Sequence, residues 1–253
     1  MTRTAFITGA SSGLGYGLAL RLAREGFSVG LAARRRDRLE ALASRIREAG
    51  AEASVHPVDV AQRHAVHAAI RACEAALGPL DLLVANAGVS EMTLVDALDA
   101  AAVERIMRVN FLGAVYAVEA TLPGMLSRGR GHLVAVGSLA GYGGLPKTAA
   151  YSASKGAVHN FFESLRIDLR STPVDVTLVT PGYVRTPMTE QNDHSMPFLV
   201  DADDAVERIW RAIRARRRRL AFPRPLSSLV WLAQIFPPWF YDWLASRQPR
   251  DKK

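Results

Sequence analysis

The chain is short of cysteine, of lysine and of long apolar runs, and each shortage excludes something. A single cysteine, Cys73, among 253 residues rules out an internal disulfide framework and a cysteine-built zinc site, and it suits a reducing compartment. No stretch of about 20 uninterrupted apolar residues occurs, so no membrane-spanning helix is expected. Residues Thr2 to Ala10 run straight into a glycine-rich turn rather than into the apolar core of a signal peptide. With 49% apolar and 22% charged residues, the composition is also unlike that of disordered or fibrous chains. These features point to a soluble, cytoplasmic protein long enough to bury a large core. Lysine is the scarcest charge. Four lysines stand against 28 arginines, and only Lys147 and Lys155 precede residue 252.

What is present is unevenly placed. The net charge is +8, yet residues 205–253 hold 12 of the 32 basic residues and only three acids, Glu207, Asp242 and Asp251. All four tryptophans, Trp210, Trp231, Trp239 and Trp243, lie in the same stretch. The first 204 residues and the last 49 therefore ask for separate explanations.

Short β-like runs alternate with helical patterns. Thr4–Thr8, Ser28–Ala33, Ala53–Pro57, Leu80–Ala85, His132–Gly137 and Val174–Thr180 read as strands. Leu14–Arg24, Arg38–Ala49, Arg63–Leu77 and stretches near 102–127 and 151–170 read as helices. Continuous apolar strands between helices predict an α/β fold, a doubly wound, Rossmann-like parallel sheet with helices on both faces. Ligands are expected beyond the carboxyl ends of its strands. The domain is expected over 1–223, with Leu220–Pro223 as its last strand, and 224–253 as an aromatic and basic C-terminal extension.

The first strand–turn–helix reads Thr8-Gly9-Ala10-Ser11-Ser12-Gly13-Leu14-Gly15. Glycines there let the backbone approach a pyrophosphate at a helix N-terminus, although the spacing departs from G-x-G-x-x-G and an ordinary glycine turn reads the same way. The end of the second strand is Ala32-Ala33-Arg34-Arg35-Arg36, with no acid before Asp37. An NAD site places a carboxylate there for the ribose 2′-OH, whereas a guanidinium suits the 2′-phosphate of NADP. NADP(H) is thus expected over NAD(H), with Arg34 as the phosphate ligand.

Tyr151 and Lys155 are one helical turn apart and share a face. A phenol of pKa about 10 works near neutrality only if its phenolate is stabilised, which an ammonium and a helix N-terminus both do. Such a pair arises by chance roughly 0.1 times in a chain of this composition, and a lysine is unusual in this arginine-rich sequence. Ser138, just past a strand end, has a hydroxyl suited to polarising a carbonyl. Asn110 suits an amide or an ordered water. Taken singly, both also read as cap or turn residues.

Taken together, Gly9-x3-Gly13-x-Gly15, Asp59-Val60, Asn86-Ala87-Gly88, Asn110, Ser138, Tyr151-x3-Lys155 and Pro181-Gly182-x-Val184-x-Thr186 resemble, in order, the short-chain dehydrogenase/reductase family. The resemblance covers about residues 3–190. It implies a catalytic tetrad of Asn110, Ser138, Tyr151 and Lys155. Tyr151 would exchange the proton, Ser138 hold the substrate oxygen, Lys155 lower the Tyr151 pKa and bind the nicotinamide ribose, and Asn110 position a water. It further implies that Asp59 and Val60 contact adenine, that Asn86 to Gly88 line the cofactor beside Tyr151, and that Thr186 and the backbone near Val184 hold the carboxamide. Two departures stand out. Ala85 replaces the first Asn of the family's Asn-Asn-Ala-Gly run, which would loosen that turn, and the usual C-terminal Asp-Gly-Gly is missing.

The remaining features are weaker. His64 and His67 share a helical face without a third ligand, so a solvated face is expected and no metal site. Residues 187–204 mix Met188, Met196 and Phe198 with polar residues, as either an apolar lid or a variable loop. Apolar residues around the helices near 102–127 and 151–170 predict a homo-oligomer, a dimer or tetramer. The Arg216–Arg219 run is weak evidence for nucleic-acid binding, and none is expected. Ser228–Ser246, flanked by basic residues, reads as a peripheral membrane contact or as a packed aromatic tail. The function expected is NADPH-dependent interconversion of a ketone or aldehyde and an alcohol, with an apolar or lipid-like substrate. A cofactor-binding sensor or scaffold with little turnover is the alternative.

Overall fold

Alternation decides which way each strand faces. In β1 (Arg3–Thr8), Ala5 and Ile7 point to one side and Phe6 to the other, and all three are fully buried. The computed structural model describes residues 3–190, 192, 195–237, 239, 241 and 242. Its seven strands are β1, β2 (Phe27–Ala33), β3 (Ala53–Pro57), β4 (Leu80–Ala85), β5 (Gly131–Val136), β6 (Val174–Pro181) and β7 (Arg219–Phe222). They pair in the order β3-β2-β1-β4-β5-β6-β7, every pair parallel. The order reverses between β1 and β4, which opens a crevice above those strand ends.

One face is covered by α1 (Gly13–Arg24), α2 (Arg36–Glu48) and α7 (Ala202–Arg214). The other carries α3 (Arg63–Leu77), α5 (Gly113–Arg128) and α6 (Ala149–Asp168), with α4 (Ala100–Met107) beside α6. A π-helical turn at Arg108–Leu112 joins α4 to α5. The run 100–128 is, contrary to expectation, long and apolar enough by length and hydropathy to cross a membrane. Part of its apolar surface packs into the core, through Ala117, Val118 and Met125, while Val115 and Leu122 stay half-buried.

The expected elements recur nearly end to end, and the last strand falls where Leu220–Pro223 predicts it. The division at residue 204 does not hold. Residues 202–214 form α7, whose Val206, Ile209, Trp210 and Ile213 recur at helical spacing and are buried. Gly17 of α1 leaves room for Val206, because a Cβ there would meet its Cγ2 at 2.6 Å. Trp210 stands edge-on to Phe27, ring centroids 6.3 Å apart, with the Arg21 guanidinium over its ring. The Arg216–Arg219 run lies at the amino end of β7, where Arg216 pairs with Asp175 and Arg219 with Glu163. The Arg219 guanidinium also lies over the Tyr142 ring, 5.4 Å from its centroid, in the loop that Tyr241 contacts through Gly144. Beyond β7, α8 (Arg224–Ala233) continues the chain. Trp243 and the basic residues from Arg247 onward lie outside the described residues.

Trp210→Ala should destabilise the whole domain by about 3–5 kcal/mol. Trp210→Phe should cost clearly less, since it keeps an edge for Phe27 and removes an indole N–H that has no acceptor among the described residues. Urea midpoints check this. Equal losses, or no loss for either variant, would mean that α7 is not part of the folded unit.

Candidate active site

The crevice begins with backbone geometry. Gly9 and Gly13 adopt φ of +70° and +56°, a region that favours glycine, and they turn the chain from β1 into α1. Ser12 caps α1 without a side-chain hydrogen bond, and no acid occupies the first turn. The amides of that turn are thus left for an anion. The Thr8 hydroxyl accepts from the amides of Asn86 and Ala87, each at 3.0 Å, and Asn86 Nδ2 donates to the Thr8 carbonyl at 2.9 Å. These bonds close the turn after β4, so Ala85 does not leave it loose.

A cleft of about 420 Å³ runs from this turn to the ends of β5 and β6. Its walls include Gly9, Ser11, Ser12, Gly13, Leu14, Arg34, Asp59, Val60, Asn86, Ala87, Gly88, Ser138, Tyr151, Lys155, Pro181, Gly182, Val184 and Thr186. All of these but Ser138, seventeen residues, are expected cofactor contacts from the sequence, but two predicted residues are not in the wall. Gly15 sits beneath the loop, where a Cβ would strike the Gly9 carbonyl at 2.4 Å. Asn110 lies behind the wall and is buried.

Arg34 is exposed at the outer end. Its neighbour Arg35 donates to the Ser11 and Ser12 hydroxyls at 2.8 and 3.0 Å, so two guanidinium groups stand there rather than one. Ala33 brings no carboxylate among them. These residues fit an elongated dinucleotide, because positive charge and free amides gather at one end and proton-handling groups at the other.

At the inner end, the Ser138 hydroxyl and the Tyr151 phenol stand side by side in the cleft wall. Lys155 is buried and donates to the Val136 carbonyl at 2.9 Å, with its Nζ 5.8 Å from the centroid of the Tyr151 ring. Burial pushes the Lys155 pKa down to about 8. The Tyr151 phenol is raised above its ordinary value by burial, with the Ser138 hydrogen bond acting the other way. Burial sets the net direction at Tyr151, and the Lys155 amine has its hydrogen bond on the strand end.

Asn110 accepts from the Val89 amide at 2.7 Å and donates to the Val89 carbonyl and to Ser154 Oγ, both at 2.9 Å. Its amide clamps the cleft wall. Ser154 in turn donates to the Tyr151 carbonyl at 2.7 Å, which ties Asn110 to the catalytic helix. Ser154, Thr8 and Arg35 escaped the sequence reading because a serine or threonine in a run, or one arginine among three, shows its partner only after folding. His159, one turn beyond Lys155, was missed for the same reason. Its Nε2 accepts from the Ser138 amide at 3.4 Å, and its ring meets Tyr142 edge-on at 4.9 Å. The His67 imidazole pairs with Glu119, as does Arg63.

Free helix-start amides at a sheet switch point, joined by one cleft to a tyrosine and lysine a turn apart, are the working parts of a Rossmann-type oxidoreductase. The model of the short chain dehydrogenase family matches residues 3–197. An uncharacterized oxidoreductase of Myxococcus xanthus is 45% identical over 245 residues, covering 97% of each chain. A short-chain dehydrogenase/reductase from Burkholderia phymatum in complex with NAD superposes with a TM-score of 0.86 at 27% identity, covering 100% of this chain and 98% of the other. An alcohol dehydrogenase from the archaeon Thermococcus sibiricus, complexed with 5-hydroxy-NADP, gives 0.80 at 26% identity, with 88% and 96% covered. The chain belongs to the short-chain dehydrogenase/reductase family and is an NAD(P)-dependent oxidoreductase acting on alcohol and carbonyl groups.

His159 and His132 are both buried, and burial pushes each imidazole down to about 4, helped by the charge of Lys155 and of Arg216 respectively. In the unfolded chain both bind protons near pH 6.5. Their folded pKa is the lower one, so the unfolded state holds more protons between about pH 6.5 and 4, and stability should fall with pH across that window. The loss is up to about 3 kcal/mol per histidine. Urea midpoints measured through the window, with His132→Gln and His159→Gln flattening the curve, check this. A wild-type midpoint that stays level would contradict it.

Proposed function

We propose that this chain is an NADPH-preferring reductase of apolar ketones or aldehydes, with oxidation of the corresponding alcohol as the reverse reaction. The observation that carries the proposal is the meeting of the Ser138 and Tyr151 hydroxyls at the inner end of the cleft, with Lys155 on the next turn. A carbonyl oxygen set between the two hydroxyls accepts from both. The raised Tyr151 pKa keeps the phenol protonated at neutral pH, the form that donates to a carbonyl. Ser138 holds the substrate oxygen. Lys155, with a pKa of about 8, carries a positive charge near neutrality and stabilises the phenolate left behind. Asn110 acts through Val89 and Ser154 as a positioning residue.

A nicotinamide cofactor, when bound, supplies or takes up the hydride. The amides of Ser11 to Leu14 would hold its pyrophosphate, Asp59 and Val60 its adenine, and Pro181, Gly182, Val184 and Thr186 its nicotinamide end. NADPH is favoured because Arg34 and Arg35 stand at the cleft's outer end without a carboxylate at residue 33. Pro187 and Met188 in the wall favour an apolar substrate.

Two substitutions separate the chemistry from the cofactor. Tyr151→Phe should keep NADPH affinity while turnover falls 10²–10⁴-fold; near-full activity would defeat the mechanism. Arg34→Ala should raise the KM for NADPH about ten-fold and leave that for NADH little changed. Equal losses would remove Arg34 as the 2′-phosphate ligand.

The protein is further proposed to be cytoplasmic, with peripheral membrane contact through its tail, and a homo-oligomer. In α5 and α6, Val118, Val158 and Phe162 face the core, while Val115, Leu122, Phe161 and Leu165 stay half-buried and suit a copy-to-copy face. Light scattering should give a dimer or tetramer; a mass near 27.5 kDa would contradict it.

A further inference from the structure

Helix α8 turns apolar residues both inward and outward. Its inner face rests on the domain, with Ala233 buried and Leu226 so close to Gly182 that a Cβ there would come within 2.9 Å of it. Outward, Leu229, Trp231 and Leu232, followed by Ile235, are 51%, 59%, 47% and 65% exposed. Arg224, Ser227 and Ser228 make its first turns polar, and the exposed apolar cluster begins at Leu229; such a cluster ordinarily has a partner. After α8, the Tyr241 hydroxyl donates to the Gly144 carbonyl at 2.7 Å. This holds the chain along residues 142–148, the loop between Ser138 and Tyr151. The other border of that loop is held by Thr93, whose amide donates to the Lys147 carbonyl at 2.8 Å and whose hydroxyl accepts from the Ala150 amide at 3.2 Å. Beside Thr93, Met92 is 71% and Val95 99% exposed. Two apolar segments thus border one loop at the substrate end of the cleft.

We propose that these segments form a docking face for an anionic lipid bilayer, and that the substrate is a membrane-dissolved ketone, aldehyde or alcohol. The inference rests on the carbonyl-reductase function proposed above and adds the source of its substrate. Charge selects the occupant. Residues 224–253 carry Arg224, Arg247, Arg250, Lys252 and Lys253 against Asp242 and Asp251, an excess that suits acidic headgroups. A second copy of this chain, itself basic, gains nothing from that excess. Tryptophan and leucine beside cationic residues suit the boundary between headgroups and acyl chains. Segments this short rest on a bilayer surface without spanning it.

Flotation of the full chain with vesicles of phosphatidylcholine plus phosphatidylglycerol, and with phosphatidylcholine alone, tests the face. Light scattering and NADPH-linked reduction of a small water-soluble ketone are measured in parallel. The wild type should float with the anionic vesicles and weaken as salt is raised. The variant Leu229→Ser/Trp231→Ser/Ile235→Ser should stay behind, with ketone reduction within about two-fold of wild type. Reduction of a long-chain aldehyde held in the vesicles should drop about ten-fold. No flotation of the wild type, or equal flotation of both, overturns the proposal. A lower oligomer mass for the variant, without wild-type flotation, overturns it in favour of a contact between copies. Failure of both chains to reduce the ketone counts against the enzymatic function alone, and flotation still decides the face.

Discussion

The reacting end of this protein is organised around a buried amine. Lys155 gives up most of its hydration in the junction between α6 and β5, and its one described hydrogen bond goes to the carbonyl of Val136, the last residue of the strand. Burying a cation costs several kcal/mol unless it is compensated, and the cost is visible in a pKa pushed down to about 8. In return the bond seats the first turns of α6 over the end of β5. That seating brings Tyr151, one turn earlier, against Ser138, just past the strand. Gly88 packs directly on the same group, since a Cβ there would be in contact, at 3.4 Å, with both Lys155 Nζ and Asn110 Oδ1. The ends of β4 and β5 and the start of α6 therefore meet at one charge.

At the other end of the cleft, positions are set by backbone groups. Thr8 and Asn86 lace the ends of β1 and β4 together, and the glycine loop runs over the seam with its amides uncommitted. Arg35 braces that loop through two serine hydroxyls, while Arg34 stands free of such bonds among the described residues. Division of labour follows from adjacency. One arginine holds the glycine loop, and the other is left exposed at the cleft's outer end.

The last 49 residues are two different things. In α7 the apolar residues occupy one stripe, and the charged residues Arg208 and Arg211 pair with Asp204 and Glu207 on the other side, so the helix closes one face of the sheet. Helix α8 is polar only in its first turns. Leu226 and Ala233 turn inward, yet Leu229, Trp231 and Leu232 remain in water. Composition alone merges these helices into one aromatic, basic tail. Trp210 belongs to the core, and Trp231 to the surface.

Much was legible in the chain because it depends on local pattern. Continuous apolar runs between helical repeats determined the parallel α/β sheet, since strands buried on both faces leave no other arrangement. The glycine spacing located the turn above β1, and Tyr151 and Lys155, one turn apart, both line the inner end of the cleft. What required folding was every contact between residues distant in sequence. Only packing could show that Asn110 is turned from the cleft to clamp Val89, that His159 backs Ser138, and that Arg219 reaches the Tyr142 ring. The Tyr151 pKa direction is of the same kind, because desolvation depends on which atoms surround a group, and no spacing along the chain encodes that. Periodicity therefore determined the elements, while burial, a property of the assembled whole, decided what their side chains do.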